Sequence, residues 1–174
     1  VERARQLVMA SGYDGRELNV FIVDNSVGRR VGEMLQADWA RVGIKVKVQT
    51  MELGELTKRA GKGEHDIVLR SWVSDNGDPD NFFTPNLSCA PVAGGGNQSR
   101  GCHAGFDALL EEARKTTDIA RRTELYKKAQ RLLYGEVGLI PLTYPQTFLV
   151  MHKRVSGFVP SPMDLVDFRG VSVK

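Results

Sequence analysis

Hydrophobic and polar positions follow two different periods along this chain. Val1, Ala4, Leu7 and Val8 share one helical face and Gly12 follows, so a helix is predicted to open the chain and stop there. Leu18-Asn19-Val20-Phe21-Ile22-Val23 reads as a buried strand. Asp24-Asn25-Ser26 is a cap-rich turn. Val31, Met34, Leu35, Trp39 and Val42 then trace the stripe of a helix from about Gly28 to Arg41, ended by Gly43. Ile44 to Gln49 alternates with period two, a strand with one wet face. A short helix over about 53–60 and a third strand over Asp66 to Trp72, centred on Ile67-Val68-Leu69, complete the run.

Strand, helix, strand, helix, strand with short connections favours parallel neighbours and right-handed crossovers. The predicted class is therefore α/β: a mixed sheet with a β-α-β-α-β core flanked by helices, then C-terminal helices and short strands. In such sheets ligands sit beyond the carboxyl ends of the strands. Asp24-Asn25-Ser26, Met51-Glu52 and the polar run Ser74-Asp75-Asn76-Gly77-Asp78-Pro79-Asp80-Asn81 belong there.

The second half has a different texture. Residues 84–104 read as a long loop rich in Gly, Pro, Ser and Asn. Phe106, Leu109, Leu110 and Ala113 make one helical stripe, and Leu125, Ala129, Leu132 and Leu133 another, with Asp118 as its N-cap. Leu139 to Tyr144, Thr147 to Met151 and Gly157-Phe158-Val159 are candidate short strands.

Composition narrows the classes. A chain of 174 residues can bury a core, and residues 1–174 read as a single domain without internal repeats. Lys and Arg exceed Asp and Glu by 24 to 21, for a net charge of +3, and the basic residues lie in scattered pairs. That distribution gives no footprint for nucleic acid. No unbroken apolar run exceeds four residues, Phe148-Leu149-Val150-Met151 among them, so no spanning segment is expected. The chain opens at Val1, inside a helix and without a leader, which predicts further sequence on its N-terminal side.

Two groups of residues could carry chemistry. Cys89 and Cys102 stand in one loop as either a disulfide or two free thiols. A bridge would contribute about 3 kcal/mol by chain entropy and would point to an oxidising compartment. Zinc would need more ligands than the adjacent His103 supplies, and no CxxC is present. Asp75, Asp78 and Asp80 admit three readings: calcium ligands, an acid–base pair in a carboxylate- or metal-dependent enzyme, or a solvated turn with Asx caps. Their offsets, with Pro79 between, fit a calcium loop poorly. Asp75 follows an apolar strand and the aromatic Trp72, a setting that suits a ligand ammonium. GxSxG is absent, and Gly94-Gly95-Gly96 lacks the Gly-Lys-Ser/Thr of a phosphate loop.

Several runs together carry a resemblance. They are Met34-Leu35-Gln36-Ala37-Asp38-Trp39-Ala40-Arg41-Val42-Gly43, Gly63-Glu64-His65, Ser74 to Phe83, Ser88-Cys89 with Cys102, and Arg122 to Gln130. They resemble the C-terminal lobe of extracytoplasmic solute-binding proteins for dipeptides and oligopeptides, and the likeness covers nearly the whole chain. The resemblance implies a periplasmic-binding-protein-like lobe of a larger two-lobed protein. It implies the substrate-binding component of an ABC importer, closing over a small peptide and delivering it to a membrane permease. It implies no enzyme activity, no cofactor, a periplasmic location and a monomeric full-length protein. Asp75 would salt-bridge the peptide α-amino group, with Asn76 beside it. Trp72-Val73-Ser74 would pair with the peptide backbone, and Cys89 with Cys102 would form the family's disulfide.

The likeness departs at one place. Dipeptide binders of this branch carry an arginine shortly before the helix that starts here near Gly28, and it holds the ligand carboxylate. The matching Val23-Asp24-Asn25-Ser26-Val27 is shorter and has no basic residue, and Arg29 and Arg30 match a different pair. A longer peptide, a glutathione-like ligand or haem are the alternatives that follow. Asp24 in that place would favour a cationic ligand.

Overall fold

The central strand β1 (Leu18–Val23) is apolar on both faces because helices cover both. The computed structural model describes residues 1–136, 138–163 and 165–174. Helix α1 (Glu2–Ala10) opens the chain, and Gly12 follows it at φ +75°. β1 pairs in parallel with β2 (Val46–Met51) on one side and β3 (Ile67–Val68) on the other, in the order β2-β1-β3. The β1–β2 register runs from Leu18↔Val46 to Val23↔Met51. Strand β2 starts two residues later than the alternation predicts. Ile44 is drawn instead onto the end of the preceding helix, where its N–H donates to Trp39 O at 3.0 Å and its side chain joins the core.

Helix α2 (Ser26–Ala40) and helix α3 (Leu53–Lys62) cover opposite faces. Val20 and Ile22 pack with Val46, Val48 and Trp39 on one side; Phe21 packs with Leu56 and Ala60 on the other. Asn25 caps α2 by accepting from Gly28 N–H at 2.7 Å, and Glu52 caps α3 at Gly54 N–H at 2.7 Å. α2 lies close on the sheet because it presents glycine there. A Cβ at Gly28 would meet Val23 O at 2.4 Å, and one at Gly32 would meet Ile22 Cδ1 at 2.7 Å.

The third strand is much shorter than predicted. Leu69 N–H donates to Phe21 O at 2.9 Å, and the chain then leaves the sheet, so Trp72 lies outside it. The predicted loop from residue 84 is also corrected, because helix α4 (Pro79–Leu87) occupies its start. Asp78 caps α4, accepting from Asp80 N–H at 2.9 Å, and Pro79 stands in the first turn, where no N–H is required. Pro85 falls inside the last turn. Phe83 and Leu87 of α4 enter a second core with Phe106 and Leu110 of α5 (Ala104–Arg114) and Leu125, Tyr126 and Ala129 of α6 (Ile119–Glu136). Asp118 caps α6 as predicted, accepting from Ala120 and Arg121 N–H at 2.9 and 3.1 Å.

Cys89 and Cys102 are bonded. The loop they close docks on the end of α3. Gly95 approaches Gly61 so tightly that a Cβ would lie 2.9 Å from Gly61 Cα; Arg100 Nη1 donates to Gly61 O at 3.3 Å; His65 Nε2 lies 3.0 Å from Gln98 O. The sheet half and the helical half are thereby joined.

The three strand candidates after α6 are not strands. Among the described residues only β4 (Val155–Ser156) and β5 (Ser172–Val173) pair there, antiparallel. Among the described residues no strand pairs with the runs 139–144 and 147–151, and Tyr144, Phe148 and Val150 are 93%, 82% and 95% exposed.

Two glycines separate packing from propensity. Gly28→Ala is expected to cost about 1–3 kcal/mol, because a backbone carbonyl blocks the methyl group. Gly135→Ala, in α6 with nothing within 4 Å, is expected to gain about 0.4–1 kcal/mol. Denaturant unfolding of both variants checks this; equal shifts would refute the close approach of α2 to β1.

Candidate functional site

The segment leaving β3 is built from an extended run, a turn and a capped helix. From Arg70 to Ser74 the backbone makes no main-chain hydrogen bond among the described residues. Trp72 and Val73 are 41% and 52% exposed. Trp72 meets the ring of Phe82 edge-on at 6.3 Å, and its indole N–H donates to Asn81 Oδ1 at 3.4 Å. Asn81, in the first turn of α4, also grips Asp75 twice. Its Oδ1 accepts from Asp75 N–H at 3.1 Å, and its Nδ2 donates to Asp75 Oδ2 at 3.0 Å. Ser74 Oγ accepts from Gly77 N–H at 2.8 Å, and Gly77 turns at φ +73°. Asn76 Oδ1 accepts from Asp78 N–H at 2.9 Å.

The structure brings Trp72, Val73, Ser74, Asp75 and Asn76 into one exposed strip at the carboxyl end of the sheet. Asp24 and Glu52 stand at the ends of β1 and β2 as the topology predicts. Asp24 is paired with Arg29 at 2.8 Å, so it offers no free charge to a cationic ligand.

Arginines sort the three aspartates. Arg122 of α6 forks onto Asp78, Nη1 to Oδ2 at 2.6 Å and Nη2 to Oδ1 at 3.0 Å. Arg114 of α5 donates to Asp80 Oδ1 at 3.0 Å, and Thr84 Oγ1 donates to the same oxygen at 2.8 Å. Burial pushes the Asp78 carboxyl up, but Arg122 and the Asp80 N–H outweigh it and hold Asp78 below the usual carboxylate range. Burial, with Asp78 adjacent, raises the Tyr126 hydroxyl. Asp78 and Asp80 are thus committed to holding helices together, and neither is available as an acid, a base or a cation ligand. Among the described residues no group of three or more His, Cys, Asp and Glu side chains is placed to hold a metal ion. The Asx caps of the third reading are present, at Asn76 and Asp78. Asp75 differs from both neighbours: it is exposed and its carboxylate contacts the Asn81 amide but no cation among the described residues.

Sequence reasoning missed Asn81, the side chain that fixes Trp72 and Asp75 together. The available signal was Asp78-Pro79, a cap followed by a first-turn proline, which starts a helix and puts Asn81 in its first turn. It also missed the arginine partners, which come from helices 34 and 44 positions away.

Residues 1–94 match the model for bacterial extracellular solute-binding proteins, family 5 middle. Di/tripeptide-binding protein 4 of Pseudomonas aeruginosa is 42% identical over 178 residues, covering 99% of this chain and 33% of that protein. Heme-binding protein A of Haemophilus influenzae is 38% identical, covering 99% of this chain and 32% of that protein. The crystal structure of a dipeptide binding protein from Pseudoalteromonas sp. SM9913 in complex with Met-Leu superposes with a TM-score of 0.90 at 29% identity, over 99% of this chain and 35% of that one. The chain therefore spans about a third of the length of the curated relatives it matches.

The division of labour among the aspartates is open to test. Asp78→Ala removes the α4 cap and the Arg122 bonds together and is expected to cost about 2–4 kcal/mol. Asp75→Ala should stay within about 0.5 kcal/mol of the parent. Because Asp78 is held below its unfolded value, its charge contributes stability above about pH 4, and that contribution is lost as the pH falls through the lowered folded value. The stability gap between parent and Asp78→Asn, followed by thermal unfolding, should narrow from pH 6 to pH 3. A constant gap would contradict the charge-based role.

Proposed function

The chain belongs to the bacterial extracellular solute-binding proteins of family 5, and from that premise we propose that it is the C-terminal lobe of a two-lobed, periplasmic peptide-binding protein serving an ABC importer. The family is one of extracytoplasmic binding proteins of transporters, not of enzymes. No helix among the described residues is long and apolar enough to cross a membrane, and the transmembrane permease is the partner to which the bound peptide is delivered.

One observation carries the reading. Among the described residues the backbone of 70–74 has no main-chain partner and leads straight into Asp75, a carboxylate that meets no cation there. A short peptide laid along Trp72-Val73-Ser74 satisfies those backbone groups as an added strand, and its α-ammonium meets Asp75. Asn81 fixes the carboxylate beforehand, so little side-chain freedom is lost on binding. Asn76 holds the turn beyond it. The mechanism is closure: contacts made with both lobes exist only in the closed state and shift the equilibrium toward it. The runs 139–144 and 147–151, rich in exposed apolar residues and unpaired among the described residues, support a sheet completed by residues of the rest of the protein. Haem is the second reading, favoured by the 38% identity to a heme-binding protein; Asp75 then has no ammonium to meet.

The test uses the whole protein that contains this chain, in a thermal-shift panel of free and N-acetylated di- and tripeptides, glutathione and haem. A ligand that binds only the native state raises the melting temperature. Free peptides are expected to stabilise and acetylated ones not to. Asp75→Ala should weaken peptide binding by about 2–5 kcal/mol, since it leaves a buried ammonium unpaired. Stabilisation by haem alone would overturn the peptide reading, and equal binding by Asp75→Ala would overturn the anchor.

A further inference from the structure

Gly63-Glu64-His65 leads from α3 toward β3 at the place where the loop closed by Cys89 and Cys102 docks. His65 Nε2 lies 3.0 Å from Gln98 O of that loop. A carbonyl oxygen only accepts, so the ring carries a proton on Nε2 and, when neutral, leaves Nδ1 bare. Nδ1 is buried and has no hydrogen-bond partner among the described residues, and Gln98 Oε1 is in the same condition. The half-buried ring packs against Phe21 of β1, with centroids 5.7 Å apart.

A second proton on this ring would be a buried, charged donor with nothing placed to accept it, which costs more than the bare nitrogen. The surrounding charges add to that cost. Arg59 of α3, over the Phe21 ring, is paired with Glu64 at 2.7 Å, and Asp66 is paired with Arg16 at 2.6 Å. Arg100 of the loop enters no ion pair among the described residues. It lies against Gly63, where a Cβ would meet its Nη1 at 2.9 Å, and donates to Gly61 O. Burial first, and then Arg100, hold the His65 ring below the ordinary imidazole value, against the opposing pull of Gln98 O and Asp66.

We propose that His65 is a pH-sensitive latch, which holds the disulfide-closed loop on the sheet half while neutral and lets it go when acid protonates the ring. A folded value below the unfolded one, about 6.5, means that the latch contributes its full stability above that pH. The contribution is lost as the pH falls through the lowered folded value. The joint lies between two parts that must stay in register. Residues 70–74 follow His65 out of β3, and α4, which carries Asn81, runs into the loop at Cys89. Acid would thus loosen the hold of Asn81 on Trp72 and Asp75. The proposal does not depend on what that strip binds.

The experiment uses the whole protein that contains this chain, with amide hydrogen exchange followed from about pH 7.5 to about pH 5 and corrected for the intrinsic effect of pH on exchange. Segments 61–66 and 94–101 should lose protection with acid relative to β1. His65→Gln, whose amide can still donate to Gln98 O but does not titrate, should abolish the loss. Arg100→Gln should reduce it, since a neutral side chain then faces the protonated ring. In the parent, the His65 resonance should titrate below about 6.5. Protection unchanged by acid would overturn the latch, as would protection that rises because Gln98 Oε1 turns to accept the new N–H. A loss that persists in His65→Gln, or a His65 that titrates at or above the ordinary value, would also overturn it. Should His65→Gln fail to fold, the parent titration and Arg100→Gln still decide.

Discussion

The bonds converging on the Asp78 carboxylate set the geometry on which the rest of this structure depends. One side chain caps α4, takes the fork of Arg122 from α6, and ends the turn that carries Asp75. With α4 placed, Asn81 is placed, and Asn81 fixes both the Trp72 indole and the Asp75 carboxylate. The strip that leaves the sheet is therefore held from the helical layer. The pair is partly shielded, with Asp78 and Arg122 side chains 27% and 30% exposed, which makes it less subject to salt than a surface ion pair.

A second constraint is the need of backbone groups for partners. β1 has strands on both sides and is satisfied. β3 and its flanking residues are satisfied as far as Leu69, after which residues 70–74 have no main-chain partner among the described residues. Exposed edges invite strand addition. Here the edge is short, ends in a turn, and is flanked by the Trp72 indole and a carboxylate, which limits what can pair with it to a short segment.

The first half was legible because each element there answers to its own residues. β1, α2 and α3 lie where periodicity puts them, since Val20, Phe21 and Ile22 need two helical covers and Asn25 and Glu52 cap locally. The misreadings share one cause: they depend on what lies beside a segment, not within it. Residues 66–72 and 139–151 have the composition of strands, but a strand needs a neighbour, and among the described residues only Ile67 and Val68 of them have one. α4 was hidden by its own signals, since Pro79 and Pro85 raise the proline count of a loop while one of them is well suited to a helix start. At the site, Asp75 stood out through its position, but the reason it differs from Asp78 and Asp80 is the placement of Arg122 and Arg114, which only the packing of α5 and α6 against α4 decides.

The same reasoning explains why an acid-rich string leaves one carboxylate without an arginine instead of three. Its carboxylates compete for the arginines of the helical layer, and Asp78 and Asp80, nearer α5 and α6, obtain them. Asp75 lies beyond that reach and is held by a neutral amide, which fixes its position without cancelling its charge. An anchor for a charged ligand must be positioned by groups that leave its charge uncompensated; otherwise the ligand would have to break an ion pair to form one. The Asn81 amide meets that condition at Asp75, and ion pairs with the surrounding helices take Asp78 and Asp80 out of competition.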